Sequence, residues 1–162
     1  DRGELSRRLL AQIGIRILID QWAIVGEAPG GKILLIGRND RSAVKFTGLE
    51  RKTLPEITAD VPELAAGAGN YLKILLDHQP FHLEEAEAAG VDLQLSGHTH
   101  NGQLFPFNLL VRALYENAYG HSTRGKTHYW VTSGAGTWGP RARTTGRPEI
   151  VLIDLVSQPS RE

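Results

Sequence analysis

The stretch LSGHTHNGQLFP, Leu95 to Pro106, sets His98 and His100 one residue apart between Gly97 and Gly102. A third histidine, His78, closes the upstream segment LLDH. Neutral imidazole is the commonest protein ligand for first-row metals near pH 7. Three convergent histidines can hold one zinc-like ion or contribute to two sites. A lone loop histidine is more often solvated or simply hydrogen-bonded; an HxH pair in a glycine-bounded loop after a strand tilts the reading toward a metal. Alternate side chains of an extended segment share a face, so His98 and His100 are expected to point the same way. Gly97 and Gly102 are expected to bend the backbone and let it approach a ligand.

Something must bring these histidines together. YLKILLDH, Tyr71 to His78, is an apolar run of strand length, and VDLQLSGH is a second short strand. Between them FHLEEAEAAG offers helix formers with Gly90 as a stop. Strand, helix, strand at this spacing is a βαβ unit. Parallel neighbours of that kind place His78, His98 and His100 at the carboxyl edge of a sheet, where open α/β sheets usually carry their sites. Upstream, RILIDQWAIV and KILLIGRND read as a hairpin across GEAPGGK. TLPEITADVPELAAGAGN reads as short helical turns and PFNLLVRALYEN as a short helix. AYGHSTRGK reads as a loop, and THYWVTSGAGT and PEIVLIDLV as two more strands. The fold class is α/β and layered, with residues 1–162 forming one domain or part of one.

Bulk composition narrows the chemistry. The 162 residues carry 18 Lys and Arg against 18 Asp and Glu, which argues against a nucleic-acid binder that relies on a broad basic face. With no cysteine, a metal site has only His, Asp, Glu or Asn to draw on. No apolar run reaches the roughly 20 residues needed to span a bilayer. The chain begins DRGELSRR and contains no Met, so it is read as a piece excised from something longer.

SGHTHNGQLFP, together with LLDHQP upstream, resembles the C-terminal half of the calcineurin-like metallophosphoesterases, most of all the bacterial subgroup with GHTHGGQ. YWVTSGAGTWGPRART and RPEIVLIDL are similar to that subgroup's closing strands, and the likeness is clearest from Tyr71 to Leu155. The resemblance implies the C-terminal half of an αββα sandwich. It also implies two divalent ions (manganese, zinc or iron), bridged by an aspartate and a water or hydroxide. His78 and His98 then serve one ion and His100 the other. The family's remaining ligands come from Asp-x-His, Gly-Asp and Gly-Asn-His motifs, and none of these occurs here. GRND at Gly37 to Asp40 and GAGNY at Gly67 to Tyr71 are poor substitutes. At most one weakly held ion is therefore expected in this chain. Asn101 departs from the subgroup's usual Gly, though Asn tolerates left-handed backbone angles.

Two functions compete. One is a two-metal hydrolase of phosphomonoesters or phosphodiesters, active only with the missing N-terminal half, so that the isolated chain is nearly inactive. The other is a non-catalytic α/β module whose histidines are structural or bind a metal simply. The partner is a phosphoester substrate. The resemblance also admits lipid-linked phosphates, but no clear lipid-binding helix is read here, and membrane association is left open through the missing N-terminal region. Localisation and metal identity are not readable. Of the other residues, His82 is expected exposed and His128 structural, while His121 leans structural but is a candidate cleft neighbour. Asp77 is expected to point away from His78. Asn101 and Gln103 are candidates to orient the histidine loop. Arg141 and Arg143 are candidates for phosphate, with solvation the equal alternative.

Overall fold

The computed structural model describes residues 2–28, 31–61, 64 and 71–156. A helix, α1 (Arg2–Gln12), leads into a hairpin of β1 (Gln21–Ala28) and β2 (Gly31–Gly37). A 3-10 turn (Arg41–Ala43) and the short helices α2 (Val44–Thr47) and α3 (Leu54–Thr58) follow. Then come β3 (Tyr71–Leu76), α4 (Leu83–Ala88), β4 (Leu93–Ser96), a second 3-10 turn (His100–Gly102) and α5 (Phe107–Leu114). A final hairpin joins β5 (Gly120–Arg124) to β6 (Thr127–Val131). The six strands form one mixed sheet in the order β1-β2-β3-β4-β6-β5. The four inner strands are parallel, and each edge strand is antiparallel to its neighbour.

Local chemistry accounts for most of these elements. α3 starts with a capping box, in which the Thr53 side chain accepts from the Glu56 backbone N–H while the Glu56 carboxylate accepts from that of Thr53. α4 places Glu84 and Glu85 at its amino end, where the helix dipole favours them. It stops before Gly90, which adopts a left-handed φ of +64°. Leu34, Ile36, Tyr71, Leu75 and Tyr129 project from one sheet face onto Leu54, Ile57, Leu83 and Ala86 of α3 and α4 to make the core. The Tyr129 hydroxyl donates to the Leu83 carbonyl from inside it.

The opposite face is also apolar. Ile33, Leu35, Leu76, Leu93, Leu95 and Trp130 share it by register and are half-buried or exposed, while Ala23 and Ile74 at its centre are buried. A parallel sheet normally has both faces covered; among the described residues no second layer covers this one. A cleft of about 570 Å³ opens on it and runs from Ala23, Val25 and Leu35 to His78, Gly97 and Thr132.

Three sequence expectations are corrected. In RILIDQWAIV the strand begins only at Gln21. Leu18 there crosses the sheet's end over Gly37, occupying the space where a Cβ would stand, and Asp20 takes φ +50° to accept from the Asn39 and Lys52 backbones. AYGHSTRGK is not a loop but contains β5, which turns back into β6 through Gly125 at φ +56°. PEIVLIDLV forms no strand. It has strand composition but no neighbour to pair with among the described residues, and Ile150, Leu152 and Val156 are exposed. The hairpin, the βαβ unit and the α5 helix are as expected; Pro29, Gly30 and the stretch Gly67–Asn70 lie outside the described residues.

Candidate metal centre

The parallel register carries past the strand ends and sets the site. Asp77 N–H donates to the Leu95 carbonyl, Gly97 N–H to His78 and Thr132 N–H to Ser96. These bonds fix the exits of β3, β4 and β6 side by side at the carboxyl edge. There His98 Nδ1 lies 3.3 Å from His78 Nε2, and the two rings meet edge to face with centroids 5.1 Å apart. Tyr115 flanks His98. Partial burial, then the neighbouring His78, push the His98 pKa below its ordinary value, which disfavours the charged ring.

His100 does not face the same way as an extended HxH would require. The segment is coiled rather than extended, with left-handed φ at His98 (+66°), His100 (+49°), Asn101 (+50°), Gly102 (+72°) and Gln103 (+49°). The His100 ring sits beside Gly134. Its Nδ1 is buried and has no hydrogen-bond partner among the described residues. So His78 and His98 come together, while the His100 ring lies beside Gly134 with its Nδ1 unpartnered among the described residues.

The loop glycines divide. A Cβ on Gly102 would fall 2.3 Å from the Asn108 backbone, so close approach to α5 and positive φ both require glycine. Gly97 has neither need, since its hypothetical Cβ would meet Thr132 and His78 only at ordinary contact distances.

The carboxylates sort themselves by what they touch. Asp77 does point away from the histidines; it is buried against Arg51 (Nη1 to Oδ2, 2.8 Å), with Arg38 3.7 Å away. Burial raises its pKa against the pull of Arg51. Asp92 closes the opposite end of the sheet by accepting from Lys73 N–H. Asp40, set aside with GRND in the sequence, turns toward the histidine edge. It accepts from Gln79 Nε2 (2.9 Å) and Ser42 N–H (2.7 Å), its charge acts on His98, and His78 in turn helps to lower the Asp40 pKa. Burial works against ionising Asp40, but these bonds win and its pKa is lowered. The sequence held one clue to this, the Gln that follows His78. Among the described residues, however, no three His, Asp or Glu side chains converge closely enough to enclose an ion.

A clasp holds the histidine loop to the glycine-rich segment after β6. The buried Gln103 side chain donates to the Trp138 and Pro140 carbonyls and accepts from Trp138 N–H. Arg143 donates to the carbonyls of His100, Ser133 and Gly136. Gln103 thus orients the loop as its position suggested. Arg143 is spent on backbone carbonyls, whereas Arg141 is exposed. Asn101 is buried and accepts through its carbonyl from Thr145 Oγ1. His82 is exposed and bonds Glu84, and His121 pairs with His128 (3.0 Å) in a stacked arrangement on the final hairpin.

The site and fold define a class: an α/β protein with paired imidazoles at the carboxyl edge of a parallel sheet. No protein-family model matches the chain. It is 46% identical over 83 residues to an uncharacterized metallophosphoesterase of Campylobacter jejuni, covering 51% of this chain and 22% of that protein. It is 28% identical over 163 residues to phosphodiesterase YaeI of Escherichia coli, covering 96% of this chain and 53% of that one. In fold it is similar to the Thermus thermophilus sulfate thiohydrolase SoxB in complex with glycerol, at TM-score 0.51 and 21% identity, over 82% of this chain and 26% of that one. These relatives make the chain similar to metallophosphoesterases, proteins whose name implies phosphoester hydrolysis with divalent metals. The chain spans less than a quarter of the length of the first curated relatives it matches.

Proposed function

We propose that this chain provides the histidine side of a dinuclear phosphoester hydrolase of the GHTHGGQ subgroup. In this reading His78 and His98 ligate one ion and His100 the other. The observation that carries it is the 3.3 Å approach of His98 Nδ1 to His78 Nε2. Two nitrogens that each stand about 2.0–2.1 Å from a shared zinc-like ion have a separation of that order. The orphaned, buried Nδ1 of His100 fits a second, separate ion. Two divalent ions, when bound, clamp phosphoryl oxygens and make a hydroxide available near neutral pH. The protein's part is to hold the imidazoles at the edge and to fix the loop that carries His98 and His100 through the Gln103 and Arg143 clasp.

The negative ligands such a pair of ions requires are not in these 162 residues as family motifs, and Asp40 is held by Gln79 and Ser42. We assign them to a further segment packed on the open apolar sheet face, where the cleft already reaches His78. The chain by itself then holds at most one ion, weakly, and turns over little. The substrate class is a phosphomonoester or phosphodiester.

The test is calorimetric titration of the chain with zinc and manganese, beside an assay on an activated aryl phosphate and phosphodiester. Expected is one weak site, weakened about tenfold or more by either His78→Ala or His98→Ala and little changed by His100→Ala. Metal-dependent turnover abolished by His98→Ala would mean that the site is complete within this chain, with Asp40 as the first candidate carboxylate. No metal binding, in this chain or in a longer protein that contains it, would favour the non-catalytic module instead.

A further inference from the structure

The final hairpin carries a second pair of histidines. The register sets His121 of β5 beside Trp130 and His128 of β6 beside Thr123, so all four side chains share one face of the sheet. His121 Nε2 lies 3.0 Å from His128 Nδ1, with the rings 21° from parallel. Both residues are exposed, so no packing demand of the core brings them together.

This pair is remote from the candidate metal centre. His128 N–H donates to the Asp92 carbonyl at the amino end of β4, whereas His98 follows the carboxyl end. β5 lies two strands outward from β4, about 10 Å away at the spacing of a sheet. Among the described residues no third His, Asp or Glu converges on either pair.

Two imidazole nitrogens at 3.0 Å need something between them, because bare lone pairs repel. It is either a proton held by one ring or a cation bound by both. Neutral imidazole is the form that binds first-row metals. Nitrogens about 2.0–2.1 Å from a shared ion stand about 2.8–3.0 Å apart at a right angle and about 3.3–3.4 Å apart at the tetrahedral angle. The His78–His98 approach of 3.3 Å matches the tetrahedral case. The His121–His128 approach of 3.0 Å matches neighbouring positions of a tetragonal ion, the geometry of copper(II) and nickel(II). An exposed ring exchanges tautomers freely. Moving the ring proton to the outer nitrogen frees both lone pairs, and small turns about Cβ–Cγ aim them at one ion.

We propose that His121 and His128 form a bis-imidazole site for a divalent ion of this kind, completed by water, that ties the edge strand β5 to β6. β5 is five residues long and pairs on one side only, so a cross-strand ion reinforces the weaker margin of the sheet. Nothing in this site depends on hydrolysis, and it can fail separately from the candidate centre.

The experiment titrates copper(II) into the untagged full chain carrying His78→Ala and His98→Ala, which silences the candidate centre. Expected is one ion per chain, with the electron paramagnetic resonance spectrum of a tetragonal ion bound by two nitrogens. The Trp130 ring lies 6.2 Å from His121, so the ion is expected to quench its emission. Trp130→Phe should remove most of that quenching while Trp22 and Trp138 remain. Adding His121→Ala or His128→Ala is expected to weaken binding about a hundredfold, the low end of what linking two donors contributes. Both positions are exposed, so far-UV circular dichroism should stay unchanged. Amide exchange in β5 should slow when the ion is bound. Absence of binding overturns the proposal. So does binding that survives both substitutions, or a spectrum with a single nitrogen donor, either of which would place the ion on other residues. Zinc bound as tightly as copper would overturn the tetragonal geometry, and unchanged exchange in β5 would overturn the tie between the strands.

Discussion

At the residue scale the histidine loop is a run of left-handed backbone. Four of its five positive-φ residues, His98, His100, Asn101 and Gln103, are not glycine, and each such position costs of order 1–3 kcal/mol and persists only where its surroundings fix it. The clasp from Gln103 and Arg143 is what fixes it here. This explains why the geometry of HxH was not legible in the sequence: alternation holds for extended chain, and the loop is coiled. The fifth residue, Gly102, gives a sharp contrast with Gly97. Gly102→Ala would meet the Asn108 backbone at 2.3 Å and also strain a φ of +72°, so it should lower stability by well over the roughly 1 kcal/mol of the backbone effect alone. Gly97→Ala, with open van der Waals distances, should change stability by less than about 1 kcal/mol. Thermal melts of the two variants, side by side, decide this. Equal losses would mean that the loop yields and that the glycine at position 102 has no special role.

At the element scale, legibility followed pairing. β3, α4 and β4 were readable because their apolar period, helix formers and Gly90 agree with what the sheet needs of them. β5 was missed because Gly120–Arg124 is polar; its strand character comes from its partner β6 and the Gly125 turn. PEIVLIDLV erred in the other direction, with strand composition and no partner. The Arg143 clasp was equally hidden, since no local pattern announces a guanidinium that binds the carbonyls of His100, Ser133 and Gly136. Its three acceptors suit the planar fork of Arg and not the single ammonium of Lys. Arg143→Lys should therefore loosen both segments, at a stability loss on the order of 1–2 kcal/mol. Hydrogen exchange would show faster amide exchange in His98–Gln103 and Ser133–Trp138 with the core strands unaffected. Unchanged exchange in both loops would show that the fork is dispensable.

At the scale of the molecule, an uncovered apolar sheet face and a covered one share six strands, and the histidines sit where the uncovered face meets the carboxyl edge. The segment that leaves this edge is held by a second charged group besides Arg143, namely Glu149. Its Oε1 accepts from Ser133 N–H (2.9 Å) and Thr132 Oγ1 (3.1 Å), and its Oε2 accepts from the Tyr119 hydroxyl (2.8 Å). Partial burial opposes the ionised carboxylate, but the bonds from Ser133, Tyr119 and Thr132 outweigh it, and the Glu149 pKa is lowered. Tyr119 shows the reciprocal effect, pushed up by its bond to that carboxylate. A carboxyl whose folded pKa lies below its unfolded value adds stability that is fully present above the unfolded value, about pH 4.3. That stability is lost as pH falls through the lower folded value. Glu149→Gln keeps the shape and removes the charge, so it should lower stability by on the order of 1 kcal/mol at pH 7, discounted from the full charged-bond value for solvent exposure. The gap between the parent and Glu149→Gln should stay constant from pH 7 to about pH 5. It should then narrow on acidification below about pH 4.3 and close once Glu149 is protonated in the folded state. Urea unfolding of both proteins across this range measures it. A gap that persists undiminished at the acid end would mean that shape, not charge, secures the segment, and the anchoring role assigned to the carboxylate would have to be withdrawn.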